Sequence, residues 1–196
     1  MPLVRLQSGP PNPAQWPAKG GARIDAIAKA IRKRASVLAV GPSTARNQGG
    51  KGVVNVLREA LFELRLADFA TRQPERFARS LDRATGHVVN RLPKRARSWG
   101  LARKCVNIYL RDCYYNAYLR PAFGRAVDED CFEVPLDQVV ADGLHANASI
   151  PLPRWPGVKH LTPETSALFQ AGAIVLAREW GVTRVHLDTF LWVEGR

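Results

Sequence analysis

Apolar side chains recur along this chain at intervals of three and four, and no stretch alternates convincingly enough for a sheet. The run Val53, Val54, Val56, Leu57, Ala60, Leu61, Leu64, Phe69 predicts one long buried helix that ends before Pro74. Pro74 suits the first turn of the next helix, where a missing N–H costs nothing, and Phe77, Leu81, Ala84, Val88 and Val89 give that helix its apolar face up to Leu92 and Pro93. Upstream, Ile24, Ile27, Ala28, Ile31, Val37 and Leu38 predict an amphipathic helix over 22–39, with Lys29, Arg32, Lys33 and Arg34 on its basic side.

Downstream, Ser98 or the turn at Gly100 opens a helix whose stripe is Leu101, Cys105, Ile108, Tyr109 and Tyr115. Asp137 starts a helix through Val139, Val140 and Leu144, with N-capping as its simplest role. Thr162 and Pro163 supply a cap and an N1 proline for a helix ending near Gly181, with Leu168, Phe169, Ala173, Val175, Leu176 and Trp180 as core. A last helix occupies 182–194, of which 182–187 is ambiguous with strand. The pattern is all-α. Residues 1–21, rich in proline and glycine, read as an arm laid over the surface, and 22–196 as a single helical domain. The loop 41–52 contains Gly49-Gly50-Lys51-Gly52, which is no phosphate-binding loop: no strand precedes it, and Gly52 stands where Ser or Thr is required.

Charge adds a partner to this picture. The chain of 196 residues carries 29 Lys+Arg against 17 Asp+Glu, a formal charge of +12. Between Arg91 and Arg125 nine basic residues face a single acid, Asp112. Such a field attracts polyanions and makes binding salt-dependent, as for nucleic acid. Cys105, Cys113 and Cys131 form no Cys-x-x-Cys pair, so neither a disulfide framework nor a zinc knuckle is predicted. His87, His145, His160 and His186 lack metal-ligand spacing, and Asp128, Glu129 and Asp130 read as a solvated turn. No cofactor and no metal are expected. Without an apolar run near 18 residues or a leader-like start, a cytoplasmic protein at the nucleoid is expected, with no membrane contact.

One lysine stands out. Lys104 lies beside the apolar stripe of its helix, and partial loss of hydration favours a nucleophilic amine there. The Gly-x-x-x-Lys spacing of Gly100 to Lys104, followed by Val134-Pro135-Leu136-Asp137, resembles the helix-hairpin-helix DNA glycosylases that carry a lysine and an aspartate, notably the 8-oxoguanine group. The segment His186-Leu187-Asp188-Thr189-Phe190-Leu191-Trp192 resembles that group's helix offering a polar residue and, four positions on, an aromatic ring. The 33 positions from Lys104 to Asp137 are closest to the compact archaeal type. The resemblance covers about residues 52–196.

The resemblance implies a helix-hairpin-helix glycosylase-like fold with a cleft between two small lobes, and a monomeric enzyme of base excision repair. It implies a bifunctional DNA glycosylase/AP lyase, both hydrolase and lyase, acting on double-stranded DNA with an oxidised base, foremost 8-oxoguanine. Lys104 would form a Schiff base and Asp137 would stabilise positive charge on the sugar. Asp188, Trp192 and Pro135 would hold the base, and Lys94, Arg95, Arg97, Gly100 and Arg103 the DNA backbone. At the position four after Lys104 the chain has Ile108 where the family has an aromatic ring, and Tyr109, Tyr114 and Tyr115 offer either stacking or core. Two alternatives stay open: a glycosylase for another modified base, such as a hypermodified phage pyrimidine in defence, and a non-catalytic DNA-binding module.

Overall fold

The computed structural model describes residues 21–41, 44, 52–124 and 127–194; the predicted arm over 1–21 and the glycine run at 49–51 lie almost wholly outside them. Among the described residues there are seven α-helices, joined by loops and 3-10 turns, and no strand: α1 (Gly21–Leu38), α2 (Val53–Glu63), α3 (Pro74–Arg91), α4 (Trp99–Tyr115), α5 (Gln138–Asn147), α6 (Pro163–Glu179) and α7 (Leu187–Glu194). The all-α expectation holds.

The predicted caps explain the boundaries. Ser98 accepts the Leu101 N–H at 3.2 Å, Asp137 the Val140 N–H at 3.1 Å and Thr162 the Thr165 N–H at 3.2 Å, each satisfying an otherwise orphaned donor. Gly181, at φ 66°, closes α6: its N–H reaches the Arg178 carbonyl and that of Val182 the Ala177 carbonyl, the paired bonds of a Schellman ending.

Two predicted helices are shorter than their patterns. The helix that starts at Val53 stops at Glu63 instead of continuing toward Pro74, with a 3-10 turn at Leu66–Phe69. Arg32 of α1 donates to the carbonyl oxygens of Phe62 and Leu64, which a continuing helix would have given to its own N–H groups. The last helix begins at Leu187, after a 3-10 turn at Arg184–His186, because the α6 ending consumes the backbone of Gly181 and Val182.

Two hydrophobic clusters result. The first joins α1 to α4 around Leu57, Leu61, Phe77, Leu101 and Tyr109. The second joins α5 to α7 around Val140, Leu144, Phe169, Leu176 and Leu187. Each fully buried leucine or phenylalanine here stabilises the fold by about 1.5–3 kcal/mol. Leu168, expected in the core, is exposed, and Trp180 is only partly covered. Tyr109 and Tyr114 are core rather than stacking surface, and Tyr109 accepts a hydrogen bond from Arg32 Nε at 3.0 Å. Tyr115 is half-exposed and donates to Glu129.

The clusters meet at the first turn of α4. A Cβ on Gly100 would fall 2.3 Å from the Val158 carbonyl oxygen and 2.6 Å from Leu161 Cβ, so only glycine admits this approach. Ser98 Oγ donates to the Lys159 carbonyl at 3.1 Å, tying the same turn to the second cluster's side.

Candidate active site

Helix α4 turns three side chains toward one cavity. Lys104, Ile108 and Arg111, spaced four and three apart, lie on a single helical face. Opposite them stand Pro135 and Asp137 at the entry to α5, and Asp188, Thr189 and Trp192 on α7. Leu38 and Ala39, at the end of α1, add to the wall. The cavity measures about 800 Å³, within the range of about 300–1,000 Å³ usual for small-molecule pockets.

Lys104 Nζ donates to Asp137 Oδ2 at 3.0 Å, with both side chains 17% exposed. The other carboxylate oxygen, Oδ1, accepts the Val140 N–H. Capping and pairing therefore coexist, one oxygen for each, and the cap fixes the carboxylate that faces the lysine. The extended backbone leading to Asp137 is held at successive residues. Arg184 Nε donates to the Phe132 carbonyl at 3.1 Å. Glu133 receives two bonds of 2.8 Å from Arg103 and one of 3.0 Å from Asn107. Gln170 accepts the Val134 N–H at 3.2 Å and donates to the Val134 carbonyl at 2.8 Å. Burial alone would push the Glu133 carboxyl up, but the bonds and charges of Arg103, with Asn107 and Arg184, outweigh it and hold the carboxyl below the usual range.

Of the residues expected to serve the site, Lys104, Asp137, Pro135, Asp188 and Trp192 all line this one cavity. Asp188 differs from expectation in its partner: its carboxylate is taken by Arg111, which sequence reasoning missed although its spacing from Lys104 and Ile108 was available. Lys94, Arg95 and Arg97 are exposed on the turn leading to α4.

Two expected DNA contacts are corrected. Arg103 is buried, with 7% of its side chain exposed; it bridges Glu133 and Asp82 and lies 5.2 Å over the Trp99 ring, so it has no face to offer a phosphate. Gly100 is covered by Val158 and Leu161 and serves packing instead. The cysteines are free and buried, and burial pushes the Cys105 and Cys113 thiols up to about 12, which removes them as nucleophiles. Among the described residues no cluster of His, Cys, Asp and Glu is arranged to hold a metal ion, and no helix is long and apolar enough to cross a membrane.

No protein-family model, curated protein or solved structure matches the chain.

Proposed function

We propose that the chain is a DNA glycosylase with β-lyase activity that extrudes an oxidised base, 8-oxoguanine foremost, and releases it through an imine on Lys104. The observation that carries this reading is the Lys104–Asp137 pair at 3.0 Å in a cavity that also holds Pro135 and Trp192. A duplex-binding module needs cations on its surface; it has no use for an amine and a fixed carboxylate inside a pocket.

The chemistry follows from that pair. Asp137 is the base within hydrogen-bond reach of the Lys104 ammonium and takes its proton. The freed amine attacks C1′ of the extruded nucleotide. The glycosidic bond breaks with its electrons going to the departing base, which acquires a proton, and ring opening leaves an iminium between Lys104 and C1′. Loss of a 2′ proton then expels the 3′ phosphate, and water releases the lysine. Once Asp137 has passed that proton to the departing base, it is again a carboxylate and stabilises the positive charge that develops on the sugar. Trp192 offers a ring for stacking, offsetting an extrusion cost of roughly a few kcal/mol. Lys94, Arg95 and Arg97, with the overall charge of +12, supply the attraction to duplex phosphates. In this reading the turn at Lys94–Ala96 and the exposed Arg97 after it lie against the DNA backbone, while the buried first turn of α4 supports them from behind.

The test is release of free base, measured by mass spectrometry, together with strand scission on duplexes carrying 8-oxoguanine or a modified cytosine. Wild type is expected to release 8-oxoguanine and nick the strand, and Lys104→Gln to do neither. Release of the modified cytosine alone would move the substrate. Salt-sensitive binding with no release of either base would make the chain a DNA-binding module.

A further inference from the structure

Among the described residues, Arg111 is the one cation lining the cavity that the lysine chemistry leaves unused. It sits two turns beyond Lys104 on α4, about 10 Å along the helix axis, and Ile108 lies between them on the same wall. Its guanidinium is held on two sides. Nη1 donates to Asp188 of α7, and Nε donates to Asp112 Oδ1 at 3.1 Å, with Nη2 also 3.1 Å from that oxygen. A guanidinium carries five N–H donors in a rigid fork, so these contacts fix its plane and leave one N–H on each terminal nitrogen. Its side chain is only 20% exposed, and that of Asp188 15%, so the pair is substantially withdrawn from solvent.

The charges in the cavity also constrain its occupant. Lys104 is matched by Asp137, and Arg111 by Asp188 and Asp112. A pocket built to hold a phosphate would keep unmatched positive charge; among the described residues the lining has none and suits a neutral ring with polar edges. Along α4 the order is an amine for the sugar carbon, an apolar side chain for the ring face, and a fixed donor fork for the far edge.

Resting on the glycosylase reading, we propose that Arg111 is a specificity-determining residue that selects bases whose far edge carries a carbonyl oxygen. A guanidinium N–H pairs with the O6 carbonyl that 8-oxoguanine and hypoxanthine share, whereas adenine and cytosine turn an amino donor to the same position. Donor then faces donor. The cavity therefore takes oxo-bases such as 8-oxoguanine and hypoxanthine, and rejects amino-bases, modified cytosines included.

The experiment compares wild type, Arg111→Gln and Arg111→Lys on duplexes containing 8-oxoguanine, hypoxanthine, N6-methyladenine or 5-hydroxymethylcytosine. Base release is divided by borohydride trapping of the same protein on a preformed abasic site, which needs a folded protein and Lys104 but no base. Wild type is expected to favour both oxo-bases over both amino-bases. Arg111→Gln should lower the oxo-base ratio by about 10- to 100-fold. Arg111→Lys, which keeps the charge beside Asp188 but loses the fork, should also lose the preference. An unchanged ratio in Arg111→Gln, full preference in Arg111→Lys, or wild-type release of the amino-bases would overturn the assignment. If wild type neither releases a base nor traps an abasic site, the glycosylase reading itself fails and takes this one with it; trapping without the expected preference defeats only the role of Arg111.

Discussion

Arg103 and Lys104 are neighbours on α4, and both are ion-paired, yet their surroundings differ in kind. Arg103 faces inward to Glu133 and Asp82, with a threonine hydroxyl, Thr85 Oγ1, at 3.2 Å and the Trp99 ring beside it. Lys104 faces a cavity, and its hydrogen-bond partner, Asp137, is bonded once to the lysine and once to a helix N-terminus. One cation is enclosed by partners on every side. The other keeps an open side where a reactant can approach. A buried ion pair closed on itself fixes geometry, and breaking it costs stability; a pair open to a pocket can exchange its partner for a substrate. Arg103 and Glu133 thus hold the backbone that delivers Asp137 to Lys104.

Substitutions at the two pairs should separate these roles. Asp137→Asn keeps an N-cap, because asparagine caps as well as aspartate, but loses the proton acceptor. Base release is expected to fall by about 10²- to 10⁴-fold, with unfolding stability kept within about 1 kcal/mol. Asp137→Ala should add a capping loss of about 0.5–2 kcal/mol. Denaturant titration beside a release assay checks both, and equal stability loss in the two variants would place the worth of Asp137 outside its cap.

At the enclosed pair the order should invert. Glu133→Ala leaves Arg103 buried against Asp82 alone and is expected to cost about 3–5 kcal/mol of stability, read by denaturant midpoint. A stable, inactive Glu133→Ala would contradict the division drawn here.

The surface cations should yield a smaller effect. Lys94→Ala with Arg95→Ala is expected to weaken duplex binding uniformly across sequences and to reduce the slope of log K against log salt by roughly 2, about 0.9 for each phosphate that is no longer neutralised. Arg103→Met, whatever its stability, should leave that slope unchanged. The smallest effect concerns acid. Folding lowers the Glu133 carboxyl below its ordinary range, so the unfolded chain takes up a proton first as pH falls. Its contribution is complete above about pH 4.3 and disappears as pH drops through the lower folded value. Glu133→Gln should therefore flatten the acid limb of stability below about pH 4.3, and an unaltered limb would count against the pairing.

Much of this arrangement was legible in the sequence because it is local. Caps at Ser98, Asp137 and Thr162 are written in single residues, and helical period puts Asp188 and Trp192 on one face; that they meet Lys104 was implied only by the resemblance. What escaped depends on packing between distant segments. The end of α2 is set by Arg32 from another helix, and no local breaker announces it. Arg103 looked like its basic neighbours until Glu133, thirty positions on, turned it inward. Gly100 looked like part of a phosphate-binding turn until Val158 and Leu161 occupied the space beside it. Charge counts see side chains but not their partners.

The central claim concerns a single nitrogen atom, and trapping tests it directly. The protein is incubated with a duplex carrying 8-oxoguanine in the presence of borohydride, and the covalent adduct is digested and located by mass spectrometry. An adduct on the peptide carrying Lys104, absent from Lys104→Gln, is expected. An adduct on another lysine, or none on 8-oxoguanine, modified-cytosine or abasic duplexes that the protein binds, would contradict the assignment of Lys104 as the nucleophile.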